Sequence, residues 1–398
     1  MRTAFWNKQQ KSSLLPSKVL SLQKEHRSIF KVPIRVQPYL GYRNSDRLLI
    51  SARALRSGKS GFNKKGRLQA IRTMLAQFAS REVPDIKVTL ELSGQDGGIE
   101  CHTATTDREG YVHFDIALQP ERELPSNPMW EIVALRWIDG REPQCVEGYI
   151  LAPGTQTRLA VISDIDDTVI QTGITGGFRA IMRNWQNVVA TLPDDRLAIP
   201  GADAFYGALG GGRVLPAGNA ESTGKQMPAT HRPFFYISSS PWNLFSYLVA
   251  FMNEKRLPLG PLLLRDWGFN RKTFGAGAHH RHKTASIAAI LALYSDMRFV
   301  LIGDDTQDDL PAYADAARQF PGRIAAIFIR TASGEALSPA EISAQSSLEA
   351  SNIPLWLGSS YAVGKQFLSA LGFTPGGETE QIVKTVEKVE SIEQHFAQ

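Results

Sequence analysis

The residues with the clearest chemical potential lie in Ser163-Asp164-Ile165-Asp166-Asp167-Thr168, where three carboxylates fall within four positions directly after an apolar run. Carboxylates that close repel one another and need a counter-charge, which a divalent cation supplies. Taken alone, Asp-x-Asp-x-Thr reads equally well as a helix cap or a solvated turn. A second cluster, Gly303-Asp304-Asp305-Thr306-Gln307-Asp308-Asp309, follows another apolar run, and its hard oxygen donors suit Mg2+. Between the two stand Ser238-Ser239-Ser240-Pro241-Trp242 and the basic stretch His279-His280-Arg281-His282-Lys283. Ser238 and Ser239, at a strand end next to a helix start, are suited to gripping phosphate oxygens. Ser240 reads more simply as an N-cap, with Pro241 in the first turn. Lys283 is expected just before a helix whose Ile287, Ile290, Leu291 and Tyr294 share a buried face. Zinc sites usually need cysteine or acidic partners at matching spacing, so for these histidines a basic loop handling phosphate ranks above metal ligation, without being the leading reading of the stretch.

The elements that would hold these groups follow from hydrophobic pattern. Leu159–Ile162, Phe234–Ile237, Phe299–Ile302 and Ile324–Ile329 are short apolar runs expected as strands buried on both faces, alternating with helices. This pattern specifies a mostly parallel sheet. The first three runs end in polar residues, and ligands bind beyond the carboxyl ends of such strands, so those residues should meet in one crevice. Upstream, residues 47–53, 86–92, 105–118 and 130–138 carry strand patterns, with Val112, Phe114, Ile116 and Leu118 alternating cleanly. They predict a small β-sandwich that ends near Leu151, with 152–157 as linker and one basic amphipathic helix over 63–78. The expected organisation is a basic flexible arm over 1–30, a β-rich domain over 31–152, a catalytic domain over 153–335 and a helical extension over 336–398.

Charge is unevenly spread. Residues 1–82 carry 18 Lys and Arg against 3 Asp and Glu, a charge of +15, which leaves −10 for the rest of a chain whose formal charge is +5. Such a front end suits anionic lipid headgroups, nucleic acid or nothing specific, with nucleic acid the least favoured. No apolar stretch approaches the roughly 18 to 20 residues of a membrane span, and the first 30 residues lack the apolar block of a secretory signal. A cytoplasmic protein, peripheral at a membrane surface, is expected. Cys101 and Cys145 are too few for a disulfide framework and are expected as buried thiols.

The ordered set Asp164-x-Asp166-x-Thr168, Ser238, Lys283 and Gly303-Asp304-x4-Asp309 resembles the four motifs of the haloacid dehalogenase superfamily. More closely, "SDIDDTV", "YISSSPWNL", "GPLLLRDWG", "HKTASI" and "LIGDDTQDD" resemble the catalytic domain of the phosphatidate phosphatases known from the fungal actin-patch protein. "TTDREGYVHF" is similar to the β-domain that precedes it in bacterial relatives. The chain departs from the family's Gly-Asp-Ser-Gly-Gln with Gly-Asp-Asp-Thr-Gln, which makes Asp305 an added acidic neighbour, and a Gly-rich stretch around 209–230 looks inserted.

The resemblance implies an α/β, Rossmann-like haloacid dehalogenase fold and an Mg2+-dependent phosphatase. In it Asp164 is the nucleophile, Asp166 the general acid and base, and Thr168 and Lys283 belong to the catalytic set. Ser238, Ser239 and Lys283 would bind the substrate phosphate. Asp164, the backbone carbonyl of Asp166 and Asp304 would hold the metal, with Asp305 and Asp309 in support. Phosphatidate is the leading substrate. A soluble phosphomonoester, or a non-catalytic protein binding membrane or nucleic acid, are the alternatives. The segment 178–192, with Phe178, Ile181, Met182 and Trp185, either lines an entrance for lipid or packs on the sheet.

Overall fold

The computed structural model describes residues 32–56, 81–94, 97–165, 202–211, 213–214, 229–265, 276–305, 308–331, 334 and 336–361. The arm over 1–30, the helix over 63–78, Asp166 and Thr168, the segment 178–192, most of the Gly-rich stretch and residues 362–398 of the extension lie outside the described residues.

Nine strands form the first sheet: β1 (Ile34–Pro38), β2 (Gly41–Arg43), β3 (Arg47–Arg56), β4 (Arg81–Glu82), β5 (Lys87–Ser93), β6 (Ile99–Thr105), β7 (Tyr111–Ala117), β8 (Met129–Asp139) and β9 (Glu142–Ala152). They pair in the order β1-β3-β2-β9-β8-β5-β6, with β4 and β7 also on β3. All pairs are antiparallel except β2 with β9. Alternation decides which side is buried. Leu48, Ile50 and Ala52 of β3, Val88, Leu90 and Leu92 of β5, Val112, Phe114 and Ile116 of β7, and Val133 and Leu135 of β8 share one core. Strands distant in the pairing order can share a core only if the sheet bends over itself. The four strand patterns seen in the sequence correspond to β3, β5, β7 and β8.

Cys101 and Cys145 are both exposed, contrary to the expectation of buried thiols. Cys101 sits on β6, an edge strand with no fully buried residue, and Cys145 lies in the exposed first half of β9.

Six parallel strands form the second sheet: β10 (Leu159–Asp164), β13 (Phe234–Pro241), β14 (Leu262–Arg265), β15 (Arg298–Asp304), β16 (Ile324–Arg330) and β17 (Leu355–Gly358). A small hairpin, β11 (Arg213–Val214) with β12 (Ala229–Thr230), lies between β10 and β13 in the chain. The order β14-β13-β10-β15-β16-β17 puts the first strand near the middle. The chain builds outward to β14 on one side and then returns to build outward from β15 on the other. The reversal at β10 opens a crevice at the carboxyl ends of β10 and its neighbours, where open α/β sheets bind ligands.

Helices cover both faces: α1 (Ala202–Gly210) and α2 (Phe245–Glu254) on one, α3 (Ala276–Leu293), α4 (Asp309–Gln319) and α5 (Pro339–Ala350) on the other. Strand residues alternate between the two cores they cover. Leu159, Val161, Phe234, Tyr236, Val300 and Ile302 join α1 and α2, whereas Ala160, Ile162, Phe235, Ile237, Phe299 and Leu301 join α3, α4 and α5. Full burial of one such side chain contributes about 1.5–3 kcal/mol. The first sheet adds to both cores, with Tyr39 and Tyr111 in the first and Trp130 and Leu151 in the second.

Candidate active site

Register assembles the site. Asp164 pairs with Ile237, and Ser163 lies between Tyr236 and Ile302, so Ser238 of β13 and Asp304 of β15 follow one residue beyond the level of Asp164, at the same carboxyl edge of the sheet. Asp164, Ser238, Ser239 and Asp304 are all buried. One carboxylate oxygen from each of Asp164, Asp304 and Asp309 lies within 4.8 Å of the other two. The Asp309 carboxylate accepts from the Asp304 amide at 3.0 Å. A β-carbon on Gly303 would overlap that carboxylate, which explains why glycine precedes Asp304.

Lys283 is a correction to the sequence reading. It does not precede the helix but lies inside α3, because no breaker separates the histidine run from the apolar stripe that follows. Lys283, Ile287, Ile290 and Tyr294 fall on one face at spacings of three and four, so the ammonium continues the buried stripe toward the crevice. It is ion-paired with Asp164 at 2.9 Å and with Asp309. Burial alone would depress its pKa, but the two carboxylates outweigh that and hold it above the ordinary lysine value. Burial pushes the Asp309 carboxyl up while Lys283 pulls it down. We assign the proton to the lysine, which faces two carboxylates at once.

The serine segment also differs from expectation. Ser240 does not cap a helix that starts at Pro241. β13 runs through Pro241, which pairs with Arg265 after a register shift, and a 3-10 turn over Trp242–Leu244 leads into α2. The Ser240 amide is bound by Ser238 Oγ at 2.9 Å, which fixes the turn of the strand end. Among the described histidines, His280 approaches Asp315 at 3.4 Å and His282 approaches the Leu263 carbonyl at 3.3 Å. They point to different partners and do not form a joint metal site. The His279 side chain lies outside the described residues. Asp305 is half-buried, its amide donating to the Arg330 carbonyl at 3.2 Å, and Asp308 takes the left-handed conformation just before α4.

Several supporting groups were missed in the sequence. Ser163 Oγ donates to the Asp164 carbonyl at 2.7 Å and lies 2.7 Å from the Tyr206 hydroxyl of α1. Tyr313 of α4 donates to the Ile302 carbonyl at 2.7 Å. Burial first, and then the nearby carboxylates, push the phenols of Tyr206 and Tyr313 up, so both stay protonated as donors. Tyr313 stands four residues after Asp309 and could have been inferred from helical spacing. Tyr206 has no local signal.

The donor set fits a divalent cation. Asp164 and Asp304 offer hard oxygen ligands at one point, and Lys283 supplies only one positive charge against three carboxylates. Such a site could activate or accept a phosphoryl group.

The chain is 29% identical over 260 residues to phosphatidate phosphatase APP1 of Saccharomyces cerevisiae, which covers 64% of this chain and 40% of that protein. It is 28% identical over 228 residues to the uncharacterized protein C29B5.04c of Schizosaccharomyces pombe, covering 56% of this chain and 34% of that one. The chain therefore spans well under half the length of these relatives. Likeness to a solved β-glucuronidase of Bacteroides uniformis, at 9% identity over 81% of this chain and 39% of that one, has a TM-score of only 0.24. The model of the family described as phosphatidate phosphatase APP1, catalytic domain, matches residues 159–331, so the stretch that holds all the candidate site residues is similar to that catalytic domain.

Proposed function

We propose that this chain is an Mg2+-dependent phosphomonoester hydrolase of the haloacid dehalogenase kind, acting on phosphatidate. The observation that carries the reading is a buried carboxylate, Asp164, at the carboxyl end of a central parallel strand, paired with Lys283 at 2.9 Å and adjoined by Asp304 and Asp309. Similarity of residues 159–331 to the catalytic domain of phosphatidate phosphatase APP1 supports the same chemistry.

Asp164 attacks phosphorus and forms an aspartyl-phosphate, while the alcohol leaves with a proton from Asp166, two residues on in the sequence. Asp166 then takes a proton from water as it attacks the phosphoenzyme, releasing inorganic phosphate and restoring Asp164. Ser238, Ser239 and Lys283 gather the phosphoryl oxygens. Lys283 also offsets the negative charge of Asp164, and Asp309 holds Lys283 in place. Asp164 and Asp304 would hold Mg2+, which when bound neutralises phosphate charge so that a carboxylate can approach. Asp305 remains a neighbour of this cluster rather than an assigned ligand.

The lipid reading draws on that similarity and on the +15 charge of residues 1–82, which suits an anionic surface. Among the described residues no helix is long and apolar enough to cross a membrane, so peripheral contact is the mode we propose. The test is phosphate release from phosphatidate in mixed micelles and from soluble phosphomonoesters, with and without Mg2+, for wild type and Asp164→Asn. Metal-dependent release from phosphatidate, lost in the variant, is expected. Release from soluble esters alone would keep the mechanism and discard the lipid, and full activity in Asp164→Asn would sink the mechanism.

A further inference from the structure

The first sheet touches both elements that carry phosphate-gripping groups. Arg53 of β3 is buried, with its guanidinium 4.4 Å from the centre of the Tyr111 ring. Its Nε donates to the Glu109 carbonyl at 3.0 Å, and one terminal nitrogen donates to Glu82 at 2.7 Å. The other terminal nitrogen donates to the side-chain oxygen of Asn243. Asn243 lies in the turn Trp242–Leu244 that leaves the Ser238–Ser240 segment. Beside it, the Trp242 ring lies 4.2 Å from that of Tyr39, and Phe245 meets Tyr39 edge-on at 4.8 Å. At a second place, the Asn44 side chain donates to the Leu293 carbonyl at 3.1 Å, and the Tyr294 hydroxyl donates to the Arg43 carbonyl at 3.2 Å. That is the end of α3, the helix that presents Lys283.

A guanidinium is planar and its donors point in fixed directions. Three of the contacts made by Arg53, to Glu82, the Glu109 carbonyl and the Tyr111 ring, lie within the first sheet and its turns, so its orientation is set there. The contact to Asn243 carries that orientation across to the turn. Just before this turn, the Ser240 amide donates to the Ser238 hydroxyl at 2.9 Å. The strand end that bears the serines is thus bracketed by its own pairing in β13 and by Arg53.

We propose that Arg53 is a positioning residue for the Ser238–Ser240 segment, acting through Asn243, so that the strand-rich sheet is a working part of the phosphate site. The kinetic consequence rests on the phosphatase reading above; the structural consequence does not.

The test uses the full-length chain as wild type, Arg53→Gln, Asn243→Ala and the double variant. Hydrogen exchange read by mass spectrometry should show faster exchange, about tenfold, in the peptide covering residues 238–244 of each single variant, as for local opening. Peptides from β15 and α4 should exchange as in wild type. With p-nitrophenyl phosphate and Mg2+, kcat/KM should fall by about ten- to a hundredfold, the scale of a misplacement near 1 Å. The double variant should be no worse than the worse single one, because both remove one link.

Unchanged exchange over 238–244 in Asn243→Ala, or losses that multiply in the double variant, would overturn the proposal. If Arg53→Gln does not fold, Asn243→Ala decides alone, since its side chain is only half-buried. If wild type hydrolyses no ester, the exchange result still decides the positioning, and it is the phosphatase reading that fails.

Discussion

Replacing Lys283 by methionine removes a buried ammonium from between Asp164 and Asp309 while keeping much of its volume. At an effective dielectric of about 20, one contact at 2.9 Å corresponds to about 6 kcal/mol of direct attraction. Desolvation of the ammonium cancels a large part of that. Removing one partner of a buried pair leaves an uncompensated charge and costs about 3–5 kcal/mol, against a total of about 5–15 kcal/mol for a folded domain. Lys283→Met should therefore lose about this much stability in urea unfolding at neutral pH with metal chelated. The loss should depend on pH. Without the lysine, which pulls it down, burial holds the folded pKa of the Asp309 carboxyl above the ordinary 3.8. A raised folded pKa gives stability that is present at low pH and lost as pH rises, so the variant should recover relative to wild type as pH falls from neutral toward about 4. Added Mg2+ should raise the midpoint of the variant more than that of wild type, because it replaces a missing positive charge. A loss below about 1 kcal/mol, typical of an exposed pair, or one that does not shrink on acidification, would refute a lysine seated between two buried carboxylates.

Gly303→Ala should place a methyl group where the Asp309 carboxylate now sits, destabilising by about 1–3 kcal/mol and displacing Asp309 from the Asp304 amide. Activity assays and thermal melts of the alanine variant would expose an error if both stayed at wild-type values. His282 is held below its ordinary value of 6.5, first by burial and then by Arg265 and Lys283, with the Leu263 carbonyl opposing. A depressed folded pKa gives stability that is present above about 6.5 and lost as pH falls through the folded value, so unfolding midpoints should decline on acidification and His282→Gln should flatten that decline. Parallel pH profiles for the two proteins would contradict it.

Four of the six strands of the second sheet were legible because strands buried on both faces leave continuous apolar runs, whereas β14 and β17, four residues each, were not read. Leu159–Ile162 and Phe299–Ile302 could be read directly, and a polar residue after each run marked the crevice. β6 and β9 escaped for the opposite reason. β6 is an edge strand without buried alternation, and the first four residues of β9 are exposed. Lys283 was recognised as a site residue, but its place in α3 was missed because the histidine run hid the helix start. The contact between Arg53 and Asn243 joins residues 190 apart and leaves no periodicity to find.

The central position of β10 bears on how the chain is made. Its two partners arrive late: β13 begins at Phe234 and β15 at Arg298, so 133 residues lie between the end of β10 and the start of β15. At about 5–20 residues per second this is about 7 to 27 s of synthesis, during which an apolar strand ending in Asp164 has an unpaired side. Trp130 and Leu151 of the first sheet precede it in the chain and share a core with Ala160 and Ile162. A ribosome-bound nascent chain can thus shield one face of β10 before its neighbours exist, and a first sheet that folds poorly should show itself as aggregation during expression.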